Sequence, residues 1–195
     1  MTDGITPSQT AGPYFAFALT STAYGADILA GNDLRTDDAV GTPICIEGRL
    51  IDGAGAPVPD AFLEIWQADG AGRYSGAGPA NLNARFMGFG RSECSQDGTW
   101  RFTTVKPGTV TAPDGTLQAP HINVGIFARG LLKRLFTRLY FADEPANETD
   151  AVLALVPADR QDTLIARRDG TSDRLPRYVF DIRLQGDGET VFFLA

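Results

Sequence analysis

The chain has 195 residues, 43% of them apolar, enough for one domain with a substantial core and too many for a disordered chain. Its 22 glycines and 12 prolines are scattered throughout, which favours a turn-rich β architecture over a helical bundle. A net charge of −7 argues against nucleic acid as a partner, although one buried arginine would suffice for a small anionic ligand.

In chain order, residues 1–14 are polar and turn-prone and end in Thr10-Ala11-Gly12-Pro13-Tyr14, a stiff, aromatic-tipped turn that reads as an arm made to dock. The first ten residues carry no basic or apolar leader, and no apolar run approaches a bilayer span, so a cytoplasmic protein without membrane contact is expected. Residues 15–43 read as irregular. The alternation then sharpens. Strands are expected at Ile44–Ile51, Phe62–Gln67, 91–95, Trp100–Val105, from His121 to Phe127, Leu135–Phe141, Arg177–Leu184 and Val191–Leu194. Between them lie Gly- and Pro-rich turns and two long loops, 75–90 and 106–120, where function would sit. Residues 157–168 are expected to form a helix, with a proline near its start, acids in its first turns and two arginines at its end.

These signals predict a mainly β fold: a β-sandwich of mixed and antiparallel strands with long loops, an N-terminal arm and one or two short helices. The domain division expected is an arm and irregular segment over 1–43 and a sandwich over 44–195. Cys45 and Cys94 are expected to be buried free thiols.

His121 is the only histidine, which excludes a zinc site built on several histidines. No P-loop, dinucleotide fingerprint or G-x-S-x-G is present. In a strand, His121 and Asn123 share a face. Two histidines there would make a ready pair of metal ligands, and asparagine breaks the pair. On its own, His121 reads as a hydrogen-bonded strand histidine. Arg129, at a strand end beside Gly130, can either fork onto a carboxylate or stay solvated.

Several stretches together resemble the intradiol ring-cleaving dioxygenases. They are G-A-G-A-P-V-P-D-A-F-L-E-I-W-Q-A-D-G-A-G-R-Y (Gly53 to Tyr74), Gly90-Arg91, D-G-T-W-R-F-T-T-V-K-P-G (Asp97 to Gly108), A-P-H-I-N-V-G-I-F-A-R-G (Ala119 to Gly130), R-L-Y-F (Arg138 to Phe141) and Y-V-F-D-I-R-L-Q-G (Tyr178 to Gly186). The resemblance covers nearly the whole chain from residue 44. It implies a non-haem ferric site of two tyrosinates and two histidines that activates a catecholate for attack by dioxygen. Tyr74 stands at the first tyrosine position and His121 at the first histidine position. Val110 replaces the second tyrosine and Asn123 the second histidine. Tyr74, Val110, His121 and Asn123 are therefore vestigial positions, and this chain is expected to hold no metal.

That pattern, with T-P-S-Q-T-A-G-P-Y (Thr6 to Tyr14) and G-E-T-V-F-F (Gly188 to Phe193), resembles the iron-free α subunits of heteromeric family members that cleave protocatechuate. The resemblance implies a homologous β subunit as partner, with Fe(III) held by that subunit, and protocatechuate and O2 as its substrates. It also implies that the chain alone is inactive, and that Thr10, Gly12, Pro13, Tyr14 and Arg129 form part of the partner's substrate pocket. The alternative is a non-catalytic β-sandwich that binds an aromatic acid. An iron enzyme with substitute carboxylates from the two long loops has only Asp114 to draw on.

Overall fold

A computed structural model describes residues 12, 19, 30–76 and 85–194. Eleven strands lie among them: β1 (Pro43–Ile51), β2 (Phe62–Gln67), β3 (Phe89–Glu93), β4 (Thr99–Val105), β5 (Val110–Thr111), β6 (Leu117–Gln118), β7 (His121–Phe127), β8 (Leu135–Phe141), β9 (Ile165–Ser172), β10 (Leu175–Val179) and β11 (Ile182–Arg183). Nine form one mixed sheet, and β5 and β6 form a separate hairpin. β1 pairs with β4 on one edge and with β10 and β11 on the other; the sheet continues from β10 through β9, β8, β7 and β2 to β3. The β1–β10, β1–β11 and β8–β9 pairs are parallel and the others antiparallel.

Period-two alternation places the core. Ile44, Ile46 and Leu50 of β1 face Leu63 and Ile65 of β2, Trp100 and Phe102 of β4, and Ile122, Val124 and Ile126 of β7, all nearly inaccessible to solvent. A smaller cluster of Ala119, Tyr140, Leu153, Val156 and Leu164 covers the other face of β7 and β8 at one end. The outer strands β3 and β4 would leave open edges. Residues 31–34 close the gap. Gly31 O accepts from Arg91 N, Asn32 O accepts from Thr103 N, and Leu34 N donates to Thr103 O. The result is a sheet nearly closed into a barrel-like sandwich, the β-sandwich expected from the alternation.

The bounds of β2, β7 and β8 match the alternation, and Cys45 and Cys94 are buried free thiols. Burial pushes the Cys94 thiol up to about 12. No helix among the described residues is long and apolar enough to cross a membrane.

Several expectations need correction. The strand expected at 91–95 runs from Phe89 to Glu93, and the loop expected over 106–120 carries the β5–β6 hairpin. The helix expected over 157–168 is instead a 3-10 segment, Ala158–Leu164, followed directly by β9. The edge of β8 offers a parallel ladder at Tyr140 and Phe141, and Ile165 and Ala166 take it. Tertiary pairing therefore overrides a weak local helix preference. The strand expected over Arg177–Leu184 keeps its alternation but breaks at Phe180 and Asp181 into β10 and β11. There the Asp181 carboxylate accepts Arg49 N at 2.9 Å, and Phe180 O lies 1.8 Å from where a Cβ on Gly48 would stand. Only glycine admits that approach. Finally, Val191–Leu194 forms no ladder. It crosses β8 with Phe193 N donating to Phe136 O and Val191 O accepting from Thr137 Oγ1.

Candidate functional site

Tyr74 is presented by a turn that Asp69 organises. The Asp69 carboxylate accepts Ala71 N at 2.9 Å and Arg73 N at 3.0 Å, and pairs with the Arg73 guanidinium at 2.9 Å. The turn closes because Gly72 adopts φ +76° and passes so near Thr109 that a Cβ would lie 1.9 Å from its carbonyl oxygen. The same contact seats β5, and with it Val110, beside the Tyr74 turn. Behind the turn, buried Gln67 ties β2 to β4 by donating to Val105 O at 2.8 Å and accepting from Thr104 Oγ1 at 2.9 Å.

β7 supplies the facing groups. His121 and Asn123 do point the same way, toward the Tyr74 hydroxyl, as their spacing requires. His121 Nδ1 lies 2.8 Å from Ala119 O, which can only accept, so Nδ1 carries the proton and Nε2 offers a lone pair. The hydrogen bonds then run in one direction: Asn123 Nδ2 donates to Tyr74 Oη at 3.3 Å, and Tyr74 Oη donates to His121 Nε2 at 3.4 Å. Burial, reinforced by the charge of Arg138, lowers the His121 imidazole to about 4. Burial raises the Tyr74 phenol above its ordinary value. At neutral pH the trio is a neutral amide, a neutral phenol and a neutral imidazole.

That donor set does not fit a ferric ion. A hard trivalent cation needs anionic oxygen donors. One phenol and one imidazole are the only matching donors left: the Asn123 amide brings no charge and buried Val110 brings no donor atom. Among the described residues no three His, Cys, Asp or Glu side chains converge. Asp114, the one loop carboxylate available, sits in an exposed turn and accepts Thr116 N at 2.9 Å.

Two neighbours of the trio escaped sequence reasoning. Trp66 stacks on Tyr74, with centroids 5.9 Å apart and rings 10° from parallel. Arg138, opposite Asn123 on β8, donates to Gln118 Oε1 at 3.0 Å. Both are placed by the pairing of β2 and β8 with β7, for which the sequence carries no local signal.

The other candidates lie elsewhere. Gly12 is exposed, and Thr10, Pro13 and Tyr14 lie outside the described residues. Arg129 is two residues beyond the end of β7 and pairs with Asp60 at 2.8 Å. β7 itself, from His121 to Phe127, is about 20 Å long at about 3.3 Å per residue, and Arg129 lies beyond its far end. The fold therefore does not bring Arg129 to the Tyr74 trio.

Residues 11–186 match the family model described as Dioxygenase. The chain is 46% identical over 193 residues to the protocatechuate 3,4-dioxygenase alpha chain of Burkholderia cepacia, covering 96% of each chain. It is also 32% identical over 170 residues to the protocatechuate 3,4-dioxygenase beta chain of the same organism, covering 83% of this chain and 72% of that one. Among solved structures, the dioxygenase domain of a dioxygenase–carbohydrate-binding fusion protein from Streptomyces sp. SirexAA-E superposes with a TM-score of 0.62 at 27% identity, over 94% of this chain and 99% of that one. The chain belongs to the intradiol ring-cleavage dioxygenases, a family dependent on ferric iron.

Proposed function

We propose that this chain is the iron-free, α-type subunit of a heteromeric dioxygenase that cleaves protocatechuate with O2 to 3-carboxy-cis,cis-muconate. The iron is held by a homologous β-type subunit. The single observation that carries this reading is the neutral trio of Tyr74, His121 and Asn123 beside Val110, in a chain similar along its length to an alpha chain. A chain that keeps the family's fold but only one of its two tyrosine positions and one of its two histidine positions contributes something other than the metal centre.

That contribution is to complete the partner's substrate pocket. Thr10, Gly12, Pro13 and Tyr14 form one wall of it, carried by the arm assigned to residues 1–43. Residues 31–34 are hydrogen-bonded to β3 and β4 of their own domain, so the part that reaches a partner precedes them. Arg129 attracts the carboxylate of the aromatic acid. Its distance from the trio supports a role toward a site on another chain, and its side chain is 67% exposed. The assembly works in the cytoplasm.

The test is metal analysis and ring-cleavage activity on protocatechuate, first for this chain alone and then for the chain co-expressed with its β-type partner. The expected result is a colourless, iron-free, inactive chain that enters an iron-bearing, active complex. Stoichiometric iron and activity in the isolated chain would overturn the reading and assign the metal to donors other than the trio.

A further inference from the structure

We propose that Asp60 is the positioning residue for Arg129: it fixes the guanidinium so that one end remains open to the carboxylate of an aromatic acid. The proposal rests on the reading of Arg129 given above and adds a residue to it.

The pair sits where strand register puts it. β2 and β7 are antiparallel with Phe62 opposite Phe127, so Asp60 and Arg129 are the next same-face pair beyond the end of that ladder. The register is locked at that point by the Phe62–Phe127 stack, with centroids 4.6 Å apart and rings 9° from parallel. Phe62 is buried, so the base of the pair does not move freely. Asp60 also closes a turn that contains Pro57 and Pro59, whose fixed φ angles narrow the paths by which the chain enters β2.

The atoms involved decide what the contact does. Asp60 Oδ2 holds Arg129 Nε at 2.8 Å. A guanidinium presents two forks, one formed by Nε with an Nη and one by the two Nη atoms. With Nε engaged, the Nη1–Nη2 end is left for a second, end-on carboxylate. The pair itself is exposed, with Arg129 67% and Asp60 39% accessible, and an exposed pair adds little to stability. Its effect is on conformational freedom. An unpaired arginine at a strand end samples many rotamers, and binding must then order it.

The experiment is steady-state kinetics on protocatechuate with the assembled iron-bearing complex, comparing Asp60→Asn, Asp60→Glu, Arg129→Ala and the Asp60→Asn/Arg129→Ala double variant. Melting temperature and iron content are measured for each. Asp60→Asn is expected to raise KM about fivefold with kcat, iron content and melting temperature held, as for loss of one positioning contact. Asp60→Glu should recover part of the loss, and Asp60→Asn should add nothing once Arg129 is alanine. If Arg129→Ala leaves KM unchanged, the reading of Arg129 fails and Asp60 falls with it. If Arg129→Ala raises KM while Asp60→Asn leaves it unchanged or lowers it, the positioning role alone fails. A KM rise from Asp60→Asn that persists in the alanine background, or a joint fall of kcat and melting temperature, would also overturn it.

Discussion

Asn123, Tyr74 and His121 form a hydrogen-bond relay that ends on the Ala119 carbonyl, and its direction follows from the one acceptor that cannot donate. The imidazole is neutral because charging it in a buried site beside Arg138 is costly. The sign of the consequence is definite. The folded value, about 4, lies below the ordinary 6.5, so between those values the unfolded chain binds more protons. The stability contributed by neutral His121 is present above pH 6.5, falls as pH drops through this window, and is lost below about 4. Urea unfolding should show that the chain loses about 2 kcal/mol more between pH 7 and pH 5 than a His121→Gln variant does. Parallel pH profiles for the two proteins would remove this account of the site. Tyr74→Phe deletes the central member of the relay and should cost about 1 kcal/mol in the same assay. Under the proposed function it should also leave the iron content of the assembled complex unchanged. Iron loss on that single change would point instead to a phenolate–metal bond.

At the scale of elements, one carboxylate ties the relay to the rest of the fold. Asp150 is buried and accepts Ala119 N at 2.7 Å, Tyr140 Oη at 3.0 Å, Val152 N at 3.0 Å and Leu153 N at 2.7 Å. It joins the entry to β7, the outer face of β8 and the 3-10 turns that follow. Asp150→Asn would aim an amide donor at groups that are themselves donors, leaving at least one buried N–H or O–H unpaired. The expected cost is about 2–3 kcal/mol, read as a lower urea midpoint at unchanged m-value. A change below about 0.5 kcal/mol would show that these segments hold together without the carboxylate. A similar economy of pairing explains β9. Its first residues could turn as helix or extend as strand, and the open edge of β8 settles the choice.

For the whole molecule, the arm and Arg129 are proposed to serve a pocket outside this chain. Removing residues 1–14 should then raise the KM for protocatechuate of the assembled enzyme by about tenfold, the equivalent of roughly 1.4 kcal/mol of lost binding. Iron content of the complex should not change. An unaltered KM, measured by steady-state oxygen uptake, would remove Thr10 to Tyr14 from the pocket. The domain itself should tolerate the deletion, because residues 31–34, which bridge β3 and β4, are retained.

The strands β2, β7 and β8 were legible to the residue, because period-two alternation of apolar side chains is a local property and survives in the sequence. So was the common face of His121 and Asn123, which needs only the geometry of one strand. The valine at position 110 and the asparagine at position 123, on which the proposed loss of two metal donors rests, are likewise a matter of residue identity. The neighbours of those residues were not legible. Trp66 over Tyr74, Arg138 beside His121 and Asp60 against Arg129 all depend on which strand lies next to which, and in what register. The same is true of the strand that replaced the end of a predicted helix, and of residues 31–34 bridging β3 and β4. Side-chain alternation is encoded within a few residues and needs no partner. Pairing is decided by backbone groups tens of residues apart that find their hydrogen bonds only when the sheet closes.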